Sequence, residues 1–422
     1  MQQSIPKYQD IFVPGGLPRH TYNPRSSLNL EKLLEESKNN LCKLAIVTGQ
    51  TKTGKTVLTR TILNDDNSIW IDGGIIREEK DFWDTIAAEL DAYTDIEKSA
   101  ENESEAKIGT KATAEAGILV AKGSAELSGE YVTHRASGRA QAISVSSRVS
   151  ALKKVREVRP AIIIDDFHYI PKDIQGHIVR ALKPAIFEGV SVVIIAIPHR
   201  RYDAIKVERE MTGRILPIEI PTWGYEELKF IPETGFKIFN KSLTNEITDL
   251  LIRNSFGSPH LMQEFCKKIC STIDITHGNE FEFIEITPEH LNAIFSETAE
   301  TIGRPIFEKL ARGPQSRTDR IQRTLVSGEN VDIYELVLNA LAELKPGLVT
   351  ISYDELRASI RNICGEQMPQ AHETTRVLKH MSQIASTDAS SSPVIDFEEE
   401  DRQLHITDPF FAFFLRWGHI SK

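Results

Sequence analysis

The sequence predicts an α/β fold in which helices cover both faces of a parallel β-sheet. Short apolar runs alternate with segments in which apolar residues recur every three or four positions. A glycine-rich turn joins one apolar run to a helical segment, and a pair of aspartates ends another run. Strands that are apolar on both faces are typical of parallel sheets packed between helices. At 422 residues, the chain should contain about two or three domains.

The glycine-rich turn, GQTKTGKT, follows the apolar strand Leu44–Val47 and precedes the helical segment Val57–Leu63. Strand, G-x-x-x-x-G-K-T and helix in this order are typical of a phosphate-binding loop (P-loop). Its backbone N–H groups can face phosphates, Lys55 can reach the β- and γ-phosphates of ATP, and the Thr56 hydroxyl can ligate Mg²⁺. The alternative is a plain turn after a strand. The predicted nucleotide-binding residues are Gly49, Gln50, Thr51, Lys52, Thr53, Gly54, Lys55, Thr56 and Val57.

The other elements of the predicted sheet follow the same alternation. A lead-in of 40 residues ends in a helical segment, and the second strand is followed by a helix in which Phe82, Ile86 and Leu90 recur at helical spacing. The predicted elements are the helix Leu28–Leu41, the strand Ser68–Asp72, the helix Lys80–Tyr93, and the strands Val190–Ile197 and Ile215–Ile220.

The third predicted strand, Ala161–Ile164, ends in Asp165 and Asp166. Open α/β sheets hold their ligands at the carboxyl ends of their strands. Asp165 therefore fits the acid that would share Mg²⁺ with Thr56. A pair of solvated strand-end acids is the alternative.

Residues 100–150 interrupt the pattern with a stretch rich in Ala, Gly, Ser, Thr and Lys. Small residues at 121, 123, 125 and 129 alternate with polar ones, which favours an inserted β-hairpin. It could be a mobile surface hairpin, a contact between subunits or a partner-binding arm. Its apolar face is too weak for insertion into lipid.

The last hundred residues read as three amphipathic helices followed by two short strands, which is the pattern of a winged helix. These elements are Ile333–Leu344, Tyr353–Ile363, His372–Ile384, Val394–Phe397 and Gln403–Ile406. Such modules bind DNA or serve as packing and latch domains. The wing is acidic at residues 398–401, with the wrong sign for phosphates, and His372, Arg376 and Lys379 compensate modestly.

A more basic candidate for contact with DNA is the segment ARGPQSRTDRIQR at 311–323. Arg317, Arg320 and Arg323 recur at every third position, which predicts one helical stripe. The stripe could pair with DNA phosphates or with acids on a neighbouring subunit, and an ordinary solvated face is the default interpretation.

Composition places the chain among globular proteins that can bury a substantial core: 40% of its residues are hydrophobic and 26% are charged. A net charge of −10 argues against coating nucleic acid through bulk charge. No C-x-x-C pair or zinc pattern is present, and Cys266 and Cys270, one helical turn apart, fit packed thiols in a reducing compartment. Without a run of about 20 apolar residues, a cytoplasmic protein with no membrane span is expected.

The P-loop, the DD strand end, AIPHRRYD and EREMTGRILPIEIPTW together resemble the ATPase core of the AAA+ and STAND classes, over about residues 10–300. These classes include origin-recognition initiators, transposition regulators and bacterial immune ATPases, and the tail LHITDPFFAFFLRW resembles their winged-helix end. The resemblance implies a P-loop NTPase core at 1–224, a small helical lid domain at 225–300 and a winged-helix domain at 301–422.

The resemblance also implies roles for individual residues. Asp166 matches the acid that polarises the attacking water, although that residue is usually Glu. Arg214, just before the last strand, matches an arginine finger offered to a neighbour's nucleotide, or is a surface charge. The γ-phosphate sensor candidates are His199, Arg200 and Arg201. Tyr22, Pro24 and Arg25 match an adenine clamp, or belong to a docked lead-in segment. Gly257, Pro259 and His260 match a lid element that closes over the base, or simply cap a helix.

These observations predict a switch ATPase that binds and hydrolyses ATP with Mg²⁺, forms homo-oligomers through its nucleotide sites and signals to a protein effector or trigger. By resemblance, its setting is bacterial antiphage defence. The alternative is a nucleotide-gated, DNA-binding initiator or transposition regulator with little hydrolysis. A steep salt dependence of DNA binding would favour the alternative.

Overall fold

The computed structural model describes residues 6–39, 42–64, 67–92, 147–197, 213–275, 280–314, 320–364, 367–387 and 393–418. The chain divides into two compact units. One comprises residues 1–31, 48–60 and 219–422, and the other comprises residues 32–47 and 61–218. The inserted hairpin predicted at 100–150 lies outside the described residues, except that a helix begins at 147.

The central sheet is parallel, has five strands and runs in the order β2-β3-β4-β1-β5, which confirms the predicted α/β fold. β4 lies between β1 and β3, so one strand separates the P-loop strand from the strand that ends in the aspartates. β1, β3 and β4 are buried along almost their whole length, as expected for strands covered on both faces. The strands are β1 (Leu44–Gly49), β2 (Ser68–Asp72), β3 (Ala161–Asp165), β4 (Val192–Ala196) and β5 (Ile215–Ile220).

Apolar helix faces build the core on the sheet. Phe82, Trp83 and Ile86 are buried in one cluster with Ile162 and Ile164. Predicted and observed helix bounds differ by a few residues at the ends, where local patterns are least informative. The helices up to this point are α1 (Tyr8–Ile11), α2 (Leu30–Lys38), α3 (Lys55–Ile62), α4 (Glu79–Glu89), α5 (147–158) and α6 (Lys172–Phe187).

Five further helices follow the sheet, with the short strand pair β6 (Lys241–Ser242) and β7 (Glu282–Phe283). Thr244, Ser258 and Thr287 cap three of these helices by accepting backbone N–H groups with their hydroxyls. Cys266 and Cys270 are buried as packed thiols, and burial raises the pKa of Cys270 to about 12. The helices are α7 (Tyr225–Lys237), α8 (Asn245–Asn254), α9 (Pro259–Thr272), α10 (Pro288–Ile302) and α11 (Arg304–Arg312).

The C-terminal region is the three-helix module with a wing that the sequence predicts. A short hairpin, β8 (Arg323–Thr324) and β9 (Asn330–Val331), precedes it. The wing is an antiparallel sheet in the order β10-β12-β11. Its elements are α12 (Ile333–Glu343), β10 (Thr350–Ser352), α13 (Tyr353–Cys364), α14 (Ala371–Thr387), β11 (Ile395–Glu398) and β12 (Gln403–Ile406).

A last helix, α15 (Pro409–Trp417), buries Phe411, Phe413 and Phe414 in the core that this region shares with the preceding helices. Asp408 caps it by accepting the N–H groups of Phe410 and Phe411. In the described ranges, no helix is long and apolar enough to cross a membrane.

Candidate nucleotide-binding site

The P-loop has the backbone conformation that a phosphate cradle requires. Lys52 and Gly54 both adopt positive φ angles, 63° and 92°, so the chain curls between β1 and α3. Gly49 has no room for a side chain, because a Cβ there would lie 2.6 Å from the carbonyl oxygen of Ile220. Successive amides in such a turn, followed by a helix N-terminus, form a concave group of donors that suits an anion.

Lys55, the first residue of α3, folds back over this turn. Its Nζ donates to the carbonyl oxygens of Gly49 at 2.8 Å and Gln50 at 2.9 Å. The Thr53 hydroxyl also donates to the Gln50 carbonyl, at 2.8 Å. The ammonium group therefore sits at the mouth of the loop, where the sequence predicted a phosphate-binding cation.

Two residues that the sequence did not single out as ligands or supports bind the outer carbonyls of the loop. The indole Nε1 of Trp223 donates to the Thr53 carbonyl at 2.9 Å, and the Ser258 hydroxyl donates to the Lys52 carbonyl at 3.4 Å. The P-loop is thus tied to the segment after β5 and to the start of α9. A single tryptophan three residues after a predicted strand carries no distinctive sequence signal.

The two aspartates at the end of β3 lie where the backbone after β2 passes close to the backbone after β3. Asp165 pairs in register with Asp72, the last residue of β2. Asp166 adopts a left-handed φ of 51°, and its N–H donates to the Asp165 carboxylate at 3.0 Å. Gly73 is required beside them, since a Cβ there would lie 2.5 Å from the Asp166 carbonyl oxygen. Two neighbouring strands therefore bring three carboxylates to one edge of the sheet.

Arg25 has an internal role. It is buried, and its guanidinium forms an ion pair with Glu227 at 2.7 Å while donating to the carbonyls of Pro221 and Thr222. Burial alone would raise the pKa of Glu227, but the hydrogen bonds from Arg25 and from the Gly224 N–H hold that pKa below its ordinary value.

The contacts of Arg25 with Glu227, Pro221 and Thr222 are those of a lead-in segment docked on the rest of the chain, which is the alternative to an adenine clamp. Tyr22 donates its hydroxyl to Glu31 at 2.8 Å. A contact of Tyr22 or Arg25 with adenine stays a prediction.

Pro259 and His260 begin α9, and His260 lies near Lys52 of the loop. The His260 ring packs edge-on against Phe410 with centroids 4.8 Å apart, and Lys52 Nζ lies 5.2 Å from the centroid of the same Phe410 ring. Burial, aided by the charge of Lys52, lowers the pKa of His260 to about 4. His260 is therefore neutral at pH 7. Closure of Pro259 and His260 over a base is not tested by these contacts.

Arg214 precedes β5 at the edge of the sheet where the strands begin. Its guanidinium carbon lies 4.1 Å from the centroid of the Phe187 ring, and its carbonyl accepts the N–H of Leu44 at 2.9 Å. Since the P-loop follows the end of β1 and Leu44 begins it, Arg214 lies at the opposite end of that strand. The sensor candidates His199, Arg200 and Arg201 lie outside the described residues.

The predicted arginine stripe at 317–323 is wrong for the residues that the structure describes. α11 ends at Arg312, and Gly313 with a φ of 58° and Pro314 stop it. Arg320 forms an ion pair with Asp332 at 2.6 Å, and Arg323 is a buried strand residue paired with Glu373 at 3.3 Å. These two arginines hold the C-terminal region together, and Arg317 lies outside the described residues.

On the winged helix, α14 carries the predicted basic residues. His372 and Arg376 are exposed, whereas Lys379 forms a 2.6 Å ion pair with Glu399 of the wing. The acidic wing thus neutralises one of the cations that could face DNA.

No protein-family model matches this sequence, and no functionally curated protein matches it either. Solved structures with a similar fold include the Walker-type ATPase paby2304 of Pyrococcus abyssi. The two chains are 14% identical with a TM-score of 0.52, and the match covers 92% of this chain and 94% of that one. This likeness shows that the chain has the fold of a Walker-type ATPase.

More distant similarities cover almost the whole chain as well. Cdc6p from Pyrobaculum aerophilum is 13% identical, with a TM-score of 0.45 and 96% of both chains covered. The ORC2 protein of Aeropyrum pernix, solved as ADPNP–ADP complexes, is 12% identical with a TM-score of 0.48, over 96% of this chain and 95% of that one.

Proposed function

We propose that this chain is an ATP-dependent switch ATPase that binds and hydrolyses ATP with Mg²⁺. The observation that carries the proposal is the loop at 49–56, in which two left-handed residues curl the backbone and Lys55 closes its mouth. When ATP binds, the Lys55 ammonium exchanges the carbonyls of Gly49 and Gln50 for the β- and γ-phosphates. The Walker-type fold is consistent with this chemistry.

The donor set also fits a magnesium ion. A hydroxyl and a carboxylate are hard oxygen ligands of the kind Mg²⁺ prefers, and Thr56 and Asp165 supply them. Asp165 is the last residue of β3, and Thr56 lies in the first turn of the helix that follows β1 and the P-loop. The ion would neutralise phosphate charge. Asp166, held by its left-handed backbone beside Asp165, orients the attacking water and accepts its proton.

The direct test is a calorimetric titration with Mg-ATP. The parent should bind, and Lys55→Ala should lose affinity roughly 10- to 100-fold, because a hydrogen bond to a charged group contributes about 1.5–3 kcal/mol. Lys43→Ala is the matched control, since Lys43 is exposed and lies at the other end of the same strand. Equal binding by parent and Lys55→Ala would refute the P-loop assignment.

We propose further that ATP assembles homo-oligomers and that Arg214 acts on a neighbour's nucleotide. Its position at the start of β5, on Phe187, keeps it at the far end of the P-loop strand in its own subunit. A cation delivered by a neighbour would stabilise the charge that develops on the transferred phosphoryl group.

Hydrolysis per subunit should therefore rise with protein concentration. Arg214→Ala should bind ATP yet hydrolyse it poorly, and mixing it with Lys55→Ala should restore activity. A chain that stays monomeric with a non-hydrolysable ATP analogue, with no rescue on mixing, would exclude this arrangement.

The biological setting that we propose is antiphage defence, in which the ATP state is passed to a protein effector. The second candidate is a nucleotide-gated DNA-binding initiator or transposition regulator. The exposed His372 and Arg376 on the third helix of the winged helix favour it. Duplex DNA binding that falls steeply with salt and disappears in Arg376→Ala would select the second candidate.

A further inference from the structure

The outer side of the P-loop is held by two side-chain donors at consecutive peptide groups. The indole N–H of Trp223 binds the Thr53 carbonyl at 2.9 Å, and the Ser258 hydroxyl binds the Lys52 carbonyl at 3.4 Å. Neither donor belongs to the loop itself. Both come from the region after β5, where Ser258 also caps α9.

Each of these bonds also orients an amide. A peptide group is planar and, with every described bond trans, its N–H points away from its C=O. Holding the carbonyls of Lys52 and Thr53 outward therefore aims the N–H groups of Thr53 and Gly54 inward. These two amides lie within the left-handed turn at Lys52 and Gly54. Such amides are the phosphate donors of a loop of this kind.

We infer that Trp223 is a positioning residue for nucleotide binding, which presets two P-loop amides toward the phosphates with the help of Ser258. The inference rests on the proposed function, because it assumes that phosphates occupy the loop. Donors that are aimed before the ligand arrives raise affinity by reducing the ordering that binding requires.

Trp223 is itself held on several sides. The guanidinium carbon of Arg25 lies 5.1 Å from the centroid of its ring. Its backbone N–H donates to the Gly257 carbonyl at 3.1 Å. Arg25 is fixed in turn by Glu227, with Nε to Oε1 at 2.7 Å and Nη2 to Oε2 at 2.9 Å. The buried Arg25–Glu227 pair therefore supports the indole, and the indole supports the loop.

The test removes the N–H while keeping the ring. Trp223 is replaced by 3-benzothienylalanine, which has a sulfur atom in place of the indole N–H. ATP and ADP should bind about fivefold more weakly, because the Gly54 amide is no longer aimed before binding and must be ordered when the phosphates arrive. The melting temperature should fall by no more than about 2–4 °C, the shift expected for one lost hydrogen bond in a chain of this size or larger. The KM for ATP should rise with kcat unchanged, because the contact exists in both the ground and transition states.

Trp417 provides the matched control. Its indole N–H donates to Asn254 Oδ1 at 2.8 Å in the same compact unit, and its ring packs against Phe295 with centroids 4.8 Å apart. The same replacement at Trp417 should leave ATP affinity unchanged. Ser258→Ala and Ser258→Thr form a second pair: the alanine variant should weaken ATP binding, and the threonine variant, which keeps the hydroxyl, should restore it.

A residue-specific readout separates positioning from general stability. In the ¹H–¹⁵N spectrum, the Gly54 amide should shift on saturation with ADP, and the shift should be smaller in the Trp223 replacement. Trp223→Phe should give the same result with a smaller ring.

Unchanged nucleotide affinity and an unchanged Gly54 shift, in a chain whose binding still depends on Lys55, would overturn this inference and leave the proposed function standing. Parent-like binding by Lys55→Ala would overturn both.

Discussion

The P-loop at 49–56 and the arginine segment at 312–323 are both basic, and both look suited to phosphates in the sequence. In the structure they use their charge differently. The Lys55 ammonium donates to neutral acceptors of its own loop, the carbonyls of Gly49 and Gln50, which a phosphate can replace. Arg320 and Arg323 bond the carboxylates of Asp332 and Glu373. A basic residue is open to an anionic ligand when its internal acceptors are weaker than that ligand, and charge alone does not decide this.

The largest effect is expected at Asp166, the residue proposed to orient the attacking water. Asp166→Asn keeps the shape but removes the charge that orients water, so ATP turnover should fall about 100- to 10,000-fold with little change in ATP affinity. Asp165→Asn should instead weaken the Mg²⁺-dependent part of binding. A coupled ATPase assay and calorimetry measure the two quantities. Asp173→Asn, at an exposed site on α6, is the control, and parent-like turnover by Asp166→Asn would mean that another acid does this work.

In the arginine segment, removing a charged side chain should lower the stability of the protein instead of its affinity for a ligand. Arg320→Ala leaves Asp332 without its partner in a largely buried site, where the Asp332 side chain is 12% exposed. Unfolding free energy should fall by about 3 kcal/mol in urea titrations. Affinity for duplex DNA should not change, and the exposed Arg361→Ala should alter neither quantity. Weaker DNA binding at unchanged stability would break the contrast between the two regions.

The same distinction explains what could be predicted from the sequence. β2, β5 and β12 match their predicted bounds, and the P-loop and the DD strand end were located, because hydrophobic period and motif order are local properties. The partners of long charged side chains are not local: Arg25 and Glu227 are 202 positions apart, and Arg323 and Glu373 are 50 apart. The arginine stripe failed because Arg323 lies in β8 instead of a helix, and the pairing of that short strand with β9 is not visible in a three-residue spacing of arginines.

The pH dependence of stability tests whether burial and the charge of Lys52 lower the pKa of His260. Its pKa of about 4, set by burial and by Lys52, lies below the unfolded value of about 6.5. The unfolded state therefore takes up a proton first, and stability is lost as the pH falls from about 6.5 to 4. The parent should lose about 2 kcal/mol over this range relative to His260→Gln, which cannot titrate there. Urea unfolding at several pH values measures this, with His290→Gln at an exposed site as control. Parallel pH curves for parent and His260→Gln would contradict the shifted pKa.

The smallest change in stability and ATP affinity is expected for the removal of the Lys52 charge. Lys52 and Lys55 can be compared directly because both belong to the P-loop. Lys52 and Lys55 lie three positions apart, yet Lys52 Nζ lies over the Phe410 ring. Its charge also opposes the burial that raises the pKa of Asp408, the cap of α15. Lys52→Met keeps the length of the side chain and loses only the charge. Stability should fall by about 0.5–1 kcal/mol, the range of an exposed cation–π contact, and ATP affinity should change less than about twofold.

Lys55→Met is the internal standard for this test, because it makes the same substitution in the same loop and should lose much more ATP affinity than Lys52→Met. Calorimetry measures the ATP affinity of the two variants, and urea unfolding measures their stability. If Lys52→Met lost as much ATP affinity as Lys55→Met, both lysines would face the phosphates, and the contact with Phe410 would be one that ATP displaces. If Lys55 serves the ligand and Lys52 serves the protein, Lys55→Met should lose ATP affinity and Lys52→Met should keep it.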